Sequence, residues 1–137
     1  DAADRRNGTA AAARLAVDTE DKAAIMDSLI LCKFLRGVFT DYFTETAELL
    51  NLITGWDLDQ TAMQNMARGI IDAKKEFNIR CGWTPVEDTL PHRMLNSALQ
   101  DDAAAQLNTQ TLQTMITAYN LKRGWTADGY LDGISAK

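Results

Sequence analysis

Among its 137 residues the chain has only two cysteines, two prolines and a single histidine. Cys32 and Cys81 are too few for a disulfide framework, and neither belongs to a C-x-x-C pair, so spacing alone signals no metal site. A 4Fe-4S cluster held wholly by this chain is excluded as well, since such clusters take four thiolates. Runs of about eighteen or more apolar residues are absent, which leaves no candidate membrane span. The N-terminus lacks the basic, apolar and small-residue sections of a signal peptide, and a cytoplasmic location is the expectation. Basic clusters are missing too. With 19 acidic against 14 basic residues the net charge is -5, which argues against nucleic-acid or anionic-membrane partners, because those need clustered Lys and Arg. Lys74-Lys75 beside Glu76 reads as a solvated helix face. The chain opens at Asp1, not at a methionine, and a piece of a longer protein is expected.

What is present belongs to a folded domain: 46% hydrophobic and 24% charged residues, on a chain long enough to bury one core without staples. Residues 1–17 combine a charged start, a turn signal at Asn7-Gly8 and an alanine-rich stretch. Residues 1–21 are read as a connector, or the end of a preceding element, and 22–137 as the domain. From Ala23 to Leu35 the chain is apolar nearly throughout and predicts a buried helix. Thr40-Asp41 offer an N-cap for a second helix with Tyr42, Phe43, Ala47, Leu50 and Ile53 on one face, stopped at Gly55. Asp57 and Gln60 have the spacing of a capping box. Behind them Met63, Met66, Ala67, Ile70, Ile71 and Phe77 form a third helical stripe, and the methionines read as core packing before any soft-metal site. Both prolines, Pro85 and Pro91, fall between residues 78 and 107, which predicts a long ordered connection with short helical turns. A last helix from about Thr109 to Lys122 ends before Gly124. With no alternating strand pattern, the fold class is all-α: about four helices with one long proline-containing connection.

Four residues draw chemical attention. Asp27 stands in the most apolar segment, where an unpaired carboxylate is costly. No Arg lies one turn away and Lys33 is expected to point elsewhere, so its partner is predicted to be non-local. Cys32 alone reads as an inert small hydrophobe or a ligand, Cys81 as a free loop thiol, and His92 as a structural residue that nothing nearby orients.

The neighbourhood of Cys32 narrows these options. Asp27-Ser28-Leu29-Ile30-Leu31-Cys32 resembles the D-x-x-G-L-C pterin motif of the tungsten-containing aldehyde ferredoxin oxidoreductases, with Ile30 where that motif has glycine. Asn51 to Asp57 is similar to the family's N-x-x-T-G-W-D stretch, and Phe77 to Gly82 to its F-N-x-R-x-G turn. Asp88-Thr89-Leu90-Pro91 with Arg93 is similar to its D-x-L-P-x-R segment, and Arg123-Gly124-Trp125 to its R-G-W. The landmarks run in the family's order from Asp27 to Trp125.

The resemblance implies the C-terminal domain of an enzyme that oxidises aldehydes to carboxylic acids at a bis-pterin tungsten (or molybdenum) centre. It implies that Asp27, with Leu31 beside it, binds a pterin, and that Cys32 is one thiolate ligand of a 4Fe-4S cluster. The other three ligands would come from a C-x-x-C-x-x-x-C run upstream. Implied partners are the rest of the oxidoreductase chain, ferredoxin or a similar electron acceptor, and a small aldehyde, with this piece inactive alone. Ile30 departs from the motif, since a β-branched residue fills space and opposes positive φ. The alternative reading is a stand-alone helical interaction module derived from such a domain without cofactor.

Overall fold

The computed structural model describes residues 8–102 and 106–134. The charged start, with Asn7 of the expected Asn7-Gly8 turn, lies outside them. The elements in order are α1 (Ala10–Ser28), a 3-10 helix (Lys33–Gly37), α2 (Tyr42–Thr54), α3 (Gln60–Arg80), a 3-10 turn (Pro85–Glu87), α4 (His92–Asn96) and α5 (Thr109–Arg123). No strand forms among the described residues; an isolated bridge joins Leu99 and Asp102. The all-α expectation holds, and the proline-containing stretch is the long connection, with α4 as its short helical turn.

Two compact units divide the chain. One comprises residues 18–75, the other residues 1–17 and 76–137, so the chain passes between them within α1 and α3.

In the 18–75 unit, Ile25 and Met26 of α1, Tyr42, Phe43 and Ala47 of α2, and Met63 and Ala67 of α3 form one buried cluster. The three- and four-residue steps that align these side chains on helix faces are what make the cluster possible. Each large side chain so buried contributes about 1.5 to 3 kcal/mol. Asp41 caps α2 as expected, accepting from the Thr44 hydroxyl at 2.8 Å while Glu45 reaches back to its amide at 2.7 Å. The cap of α3 differs from the expected Asp57–Gln60 box: Asp59 accepts the Ala62 amide at 2.7 Å. The two extra residues are taken up by Asn51, whose side-chain amide both donates to and accepts from the Leu58 backbone. Ile53 and Phe77, expected on buried faces, are exposed.

The predicted helix across Ala23–Leu35 is also corrected. α1 starts thirteen residues earlier, at Ala10, with Ala13 and Val17 buried, and stops at Ser28, where the chain turns into the 3-10 helix. Composition could not show this break, because the residues that make it are as apolar as those before it.

In the other unit the buried centre is partly polar. Arg123 is 2% exposed; its Nε donates to the Tyr119 hydroxyl at 3.2 Å, Nη2 donates to the Val17 carbonyl at 3.4 Å, and the guanidinium lies over the Tyr119 ring. Trp125 packs edge-on against that same ring. Asn120 donates to the Ala127 carbonyl, and Trp83 donates its indole N–H to Asp88 at 3.0 Å while meeting Tyr130 edge-on. Such buried polar groups are tolerated because each finds partners.

Candidate functional site

Three of the residues singled out in the sequence, Asp27, Leu31 and Cys32, lie at the end of α1. Leu31 donates its amide to the Met26 carbonyl at 2.9 Å, and Ile30 donates to Asp27 at 3.2 Å. With Ile30 at C′ and Leu31 at C″, these are the 6→1 and 5→2 bonds of a Schellman closure, which requires a left-handed C′ residue. Ile30 supplies it at φ 55, the sole positive-φ non-glycine among the described residues. The expectation that a β-branched residue keeps this position out of the left-handed region is therefore wrong here. The backbone is held by two hydrogen bonds and by Leu31, half-buried against the Met26 cluster, and these outweigh a cost of about 1 to 2 kcal/mol.

The closure also places Asp27. Its carboxylate pairs with Lys33 Nζ, both side chains about half exposed. Lys33 was expected to point elsewhere; it returns because α1 ends at Ser28 and the following 3-10 helix folds the chain back. The hydrogen bond from Lys33 holds the Asp27 carboxyl below its ordinary value, with smaller help from Lys74 and Arg36. This ion pair offsets an unfavourable position, since an anion in the last turn of a helix meets the negative end of the dipole.

Cys32 follows directly, an exposed free thiol in extended backbone (φ -61, ψ 130) that opens the 3-10 helix. Ile30 is 91% and Phe34 94% exposed, so apolar side chains two residues to either side of the thiol stand in the open. Tyr42, at the start of α2, is 6% exposed and its hydroxyl has no hydrogen-bond partner. Burial, then the Asp27 charge, push its pKa up.

The donor set suits a shared group. No three His, Cys, Asp or Glu side chains gather around one point among the described residues, whereas one accessible thiol and one accessible carboxylate lie five residues apart. Together they can supply one thiolate to a cluster completed elsewhere and one acceptor to a ring N–H. The backbone at Ile30 already has the conformation that a glycine would supply.

The other predicted residues do not join this site. Cys81 is an exposed free thiol beside Gly82 in the 76–137 unit, on a shallow groove with Asn78, Trp83 and Glu87. His92 is exposed at the start of α4. Asn51, Gly55, Asp88, Arg123 and Trp125, which carried the resemblance, serve helix ends and the packing described above. What the sequence reading missed is Ile30's conformation; it expected a large exposed apolar surface around residues 23 to 39, which holds at Phe34 but not at Ile25, which is buried. The signal for Ile30 was faint: a left-handed position followed by a large apolar residue, as in Gly82-Trp83 and Gly124-Trp125.

The fold and this helix end define an all-α chain that presents an exposed thiol and carboxylate together. Comparison with known proteins makes this specific. The family model described as aldehyde ferredoxin oxidoreductase, domains 2 & 3, matches residues 1–133, and the chain belongs to that family. The tungsten-containing aldehyde ferredoxin oxidoreductases of Pyrococcus horikoshii, Pyrococcus furiosus and Thermococcus kodakarensis are 32%, 33% and 30% identical to it over 112 residues. Each alignment covers 80% of this chain and 18% of the relative, so the chain spans under a fifth of their length. No solved structure gives a significant match. No helix among the described residues is long and apolar enough to cross a membrane.

Proposed function

We propose that this chain is the C-terminal part of a cytoplasmic oxidoreductase that converts aldehydes to carboxylic acids and passes the electrons to ferredoxin or a similar acceptor. The observation that carries the reading is the end of α1, which in a chain of this family keeps the Asp, Leu and Cys of D-x-x-G-L-C in order, with Ile30 in the left-handed region where the motif has glycine, while leaving Asp27 and Cys32 accessible. Aldehyde and water yield acid, two protons and two electrons. A bis-pterin tungsten centre, or its molybdenum counterpart, would supply Lewis-acid and two-electron chemistry, and a 4Fe-4S cluster would supply one-electron transfer.

The residues of this chain hold and orient. Cys32 contributes one thiolate, for which its exposure and its place at the start of a short helix suit it. Asp27 exchanges its Lys33 partner for ring N–H donors of a pterin, which pair well with a carboxylate. Leu31 anchors the turn between them through its contact with the α1 cluster. The three remaining thiolates would come from an upstream C-x-x-C-x-x-x-C run.

The test is made on the longer chain, whose reading frame is expected to extend several hundred codons upstream. Purified anaerobically, it should contain iron, sulfide and tungsten or molybdenum, and should reduce a viologen with aldehyde. Cys32→Ala should lose the reduced-cluster paramagnetic resonance signal with its helices intact, and Cys81→Ala should keep it. The opposite result would reassign the ligand to Cys81, and a metal-free protein would favour the stand-alone interaction module.

A further inference from the structure

Ile30 bears a backbone cost that the turn's hydrogen bonds and Leu31 outweigh but that its own side chain does nothing to offset. A β-branched residue at φ 55 is strained, yet its side chain is 91% exposed and so gains little by packing. The closures at Gly82 and Gly124 show that glycine serves the same geometry in this molecule without that cost. Strained residues persist where the surroundings over-determine them and are concentrated at ligand clamps. Phe34 adds a second observation free of backbone strain: a 94% exposed aromatic ring on the 3-10 helix. Two residues of chain span at most about 7 Å, so the Ile30 and Phe34 backbones both lie within that distance of Cys32.

We infer that Ile30 and Phe34 form an apolar collar around the Cys32 thiolate, shielding the iron-sulfur cluster from water; this rests on the reading of Cys32 as a cluster ligand. The hydrophobic shell of a metal centre controls solvent access and thereby its potential and lability. Water stabilises the more negative reduced state, so losing the collar raises the reduction potential and opens iron to chelators.

The experiment uses the full-length protein with Ile30→Gly, Phe34→Ala and Ile30→Leu, and follows bleaching of the cluster by a ferrous chelator together with its midpoint potential. Ile30→Gly and Phe34→Ala should each bleach about tenfold faster and shift the potential upward, while Ile30→Leu, which retains the bulk, should stay near wild type. Phe34→Ala alters no left-handed residue, so an effect confined to Ile30→Gly would mark a backbone change and overturn the collar. Unchanged bleaching and potential in both variants would overturn it too. A wild-type protein purified without iron and sulfide would overturn the cluster reading, and the collar with it.

Discussion

Among the described residues three helices end in the same hydrogen-bonded closure, and only one of them breaks the local rules for doing so. α3 ends through Gly82 with Arg80 in its last turn, and α5 through Gly124 with Lys122 and Arg123. Both place glycine where positive φ is needed and cations at the negative end of the dipole. α1 ends through Ile30, has no basic residue in its last turn and carries Asp27 there instead. All three then place a large apolar residue next, Trp83, Trp125 or Leu31, that ties the turn to the fold. Where a chain is locally inconsistent, function is the usual reason, and the inconsistent end here carries Asp27, Leu31 and Cys32. The other two ends show what a purely structural solution looks like.

The largest expected effect comes from removing the anchor of the anomalous end. Leu31→Ala takes away a half-buried side chain packed on the Met26 cluster and should cost about 2 kcal/mol, toward the low end for leucine truncation. It should also let residue 30 leave the left-handed region, because the hydrogen bonds alone then hold the turn. Urea unfolding gives the first quantity and the three-bond HN–Hα coupling of Ile30 the second. If the coupling stays at its left-handed value, Leu31 is not what imposes the strain.

Exchanging residues between the two kinds of end sharpens the contrast. At Gly82 a new Cβ meets nothing within 4 Å, so Gly82→Ile isolates the backbone cost. That cost should be about 2 kcal/mol, the upper end of the range at Ile30, since φ 99 lies further from the left-handed optimum than φ 55. The reciprocal Ile30→Gly should stabilise the fold by about 0.5 to 1 kcal/mol: strain relief of about 1 to 2, less the extra unfolded-state freedom of glycine. Parallel thermal melts check both, and destabilisation by Ile30→Gly would show that Ile30 packs in a way its exposure conceals.

Much of the fold was legible because it rests on patterns of three and four. The stripes Tyr42-Phe43-Ala47 and Met63-Ala67-Ile71, the cap at Asp41 and the stops at Gly55 and Gly124 could be read from spacing and turn chemistry. The end of α1 could not: Leu29, Ile30 and Leu31 continue the apolar run, and the left-handed turn sets Leu31 against a core assembled from three helices. The site was legible only in part for the same reason. The order Asp27, Leu31, Cys32 is visible in sequence, but the Lys33 partner depends on where α1 stops, and the exposure of Phe34 depends on the 3-10 helix that follows. The motifs at Asn51–Asp57, Phe77–Gly82 and Arg123–Trp125 marked the family because helix ends constrain sequence tightly, although their residues serve structure.

The smallest effect separates the two kinds of end by charge. At α3 the Arg80–Glu76 pair lies along a helix whose terminal cation already suits the dipole, whereas Asp27 opposes the dipole at its helix end and pairs with Lys33. Lys33→Met should therefore move the Asp27 carboxyl up toward its ordinary value of 3.8, an upward shift readable by carboxyl-carbon NMR titration. The sign for stability follows from the lowered pKa. The ion pair's contribution is present above pH 3.8 and is lost as pH falls through the lowered folded-state value, so wild type and Lys33→Met should converge in acid and differ at neutral pH. Both groups are solvated, so added salt should shrink the neutral-pH difference. An Asp27 midpoint unmoved in Lys33→Met would leave Lys74 and Arg36 as its main counter-charges, and the tolerance of an acid at this helix end would then come from α3 as well as from the turn that follows α1.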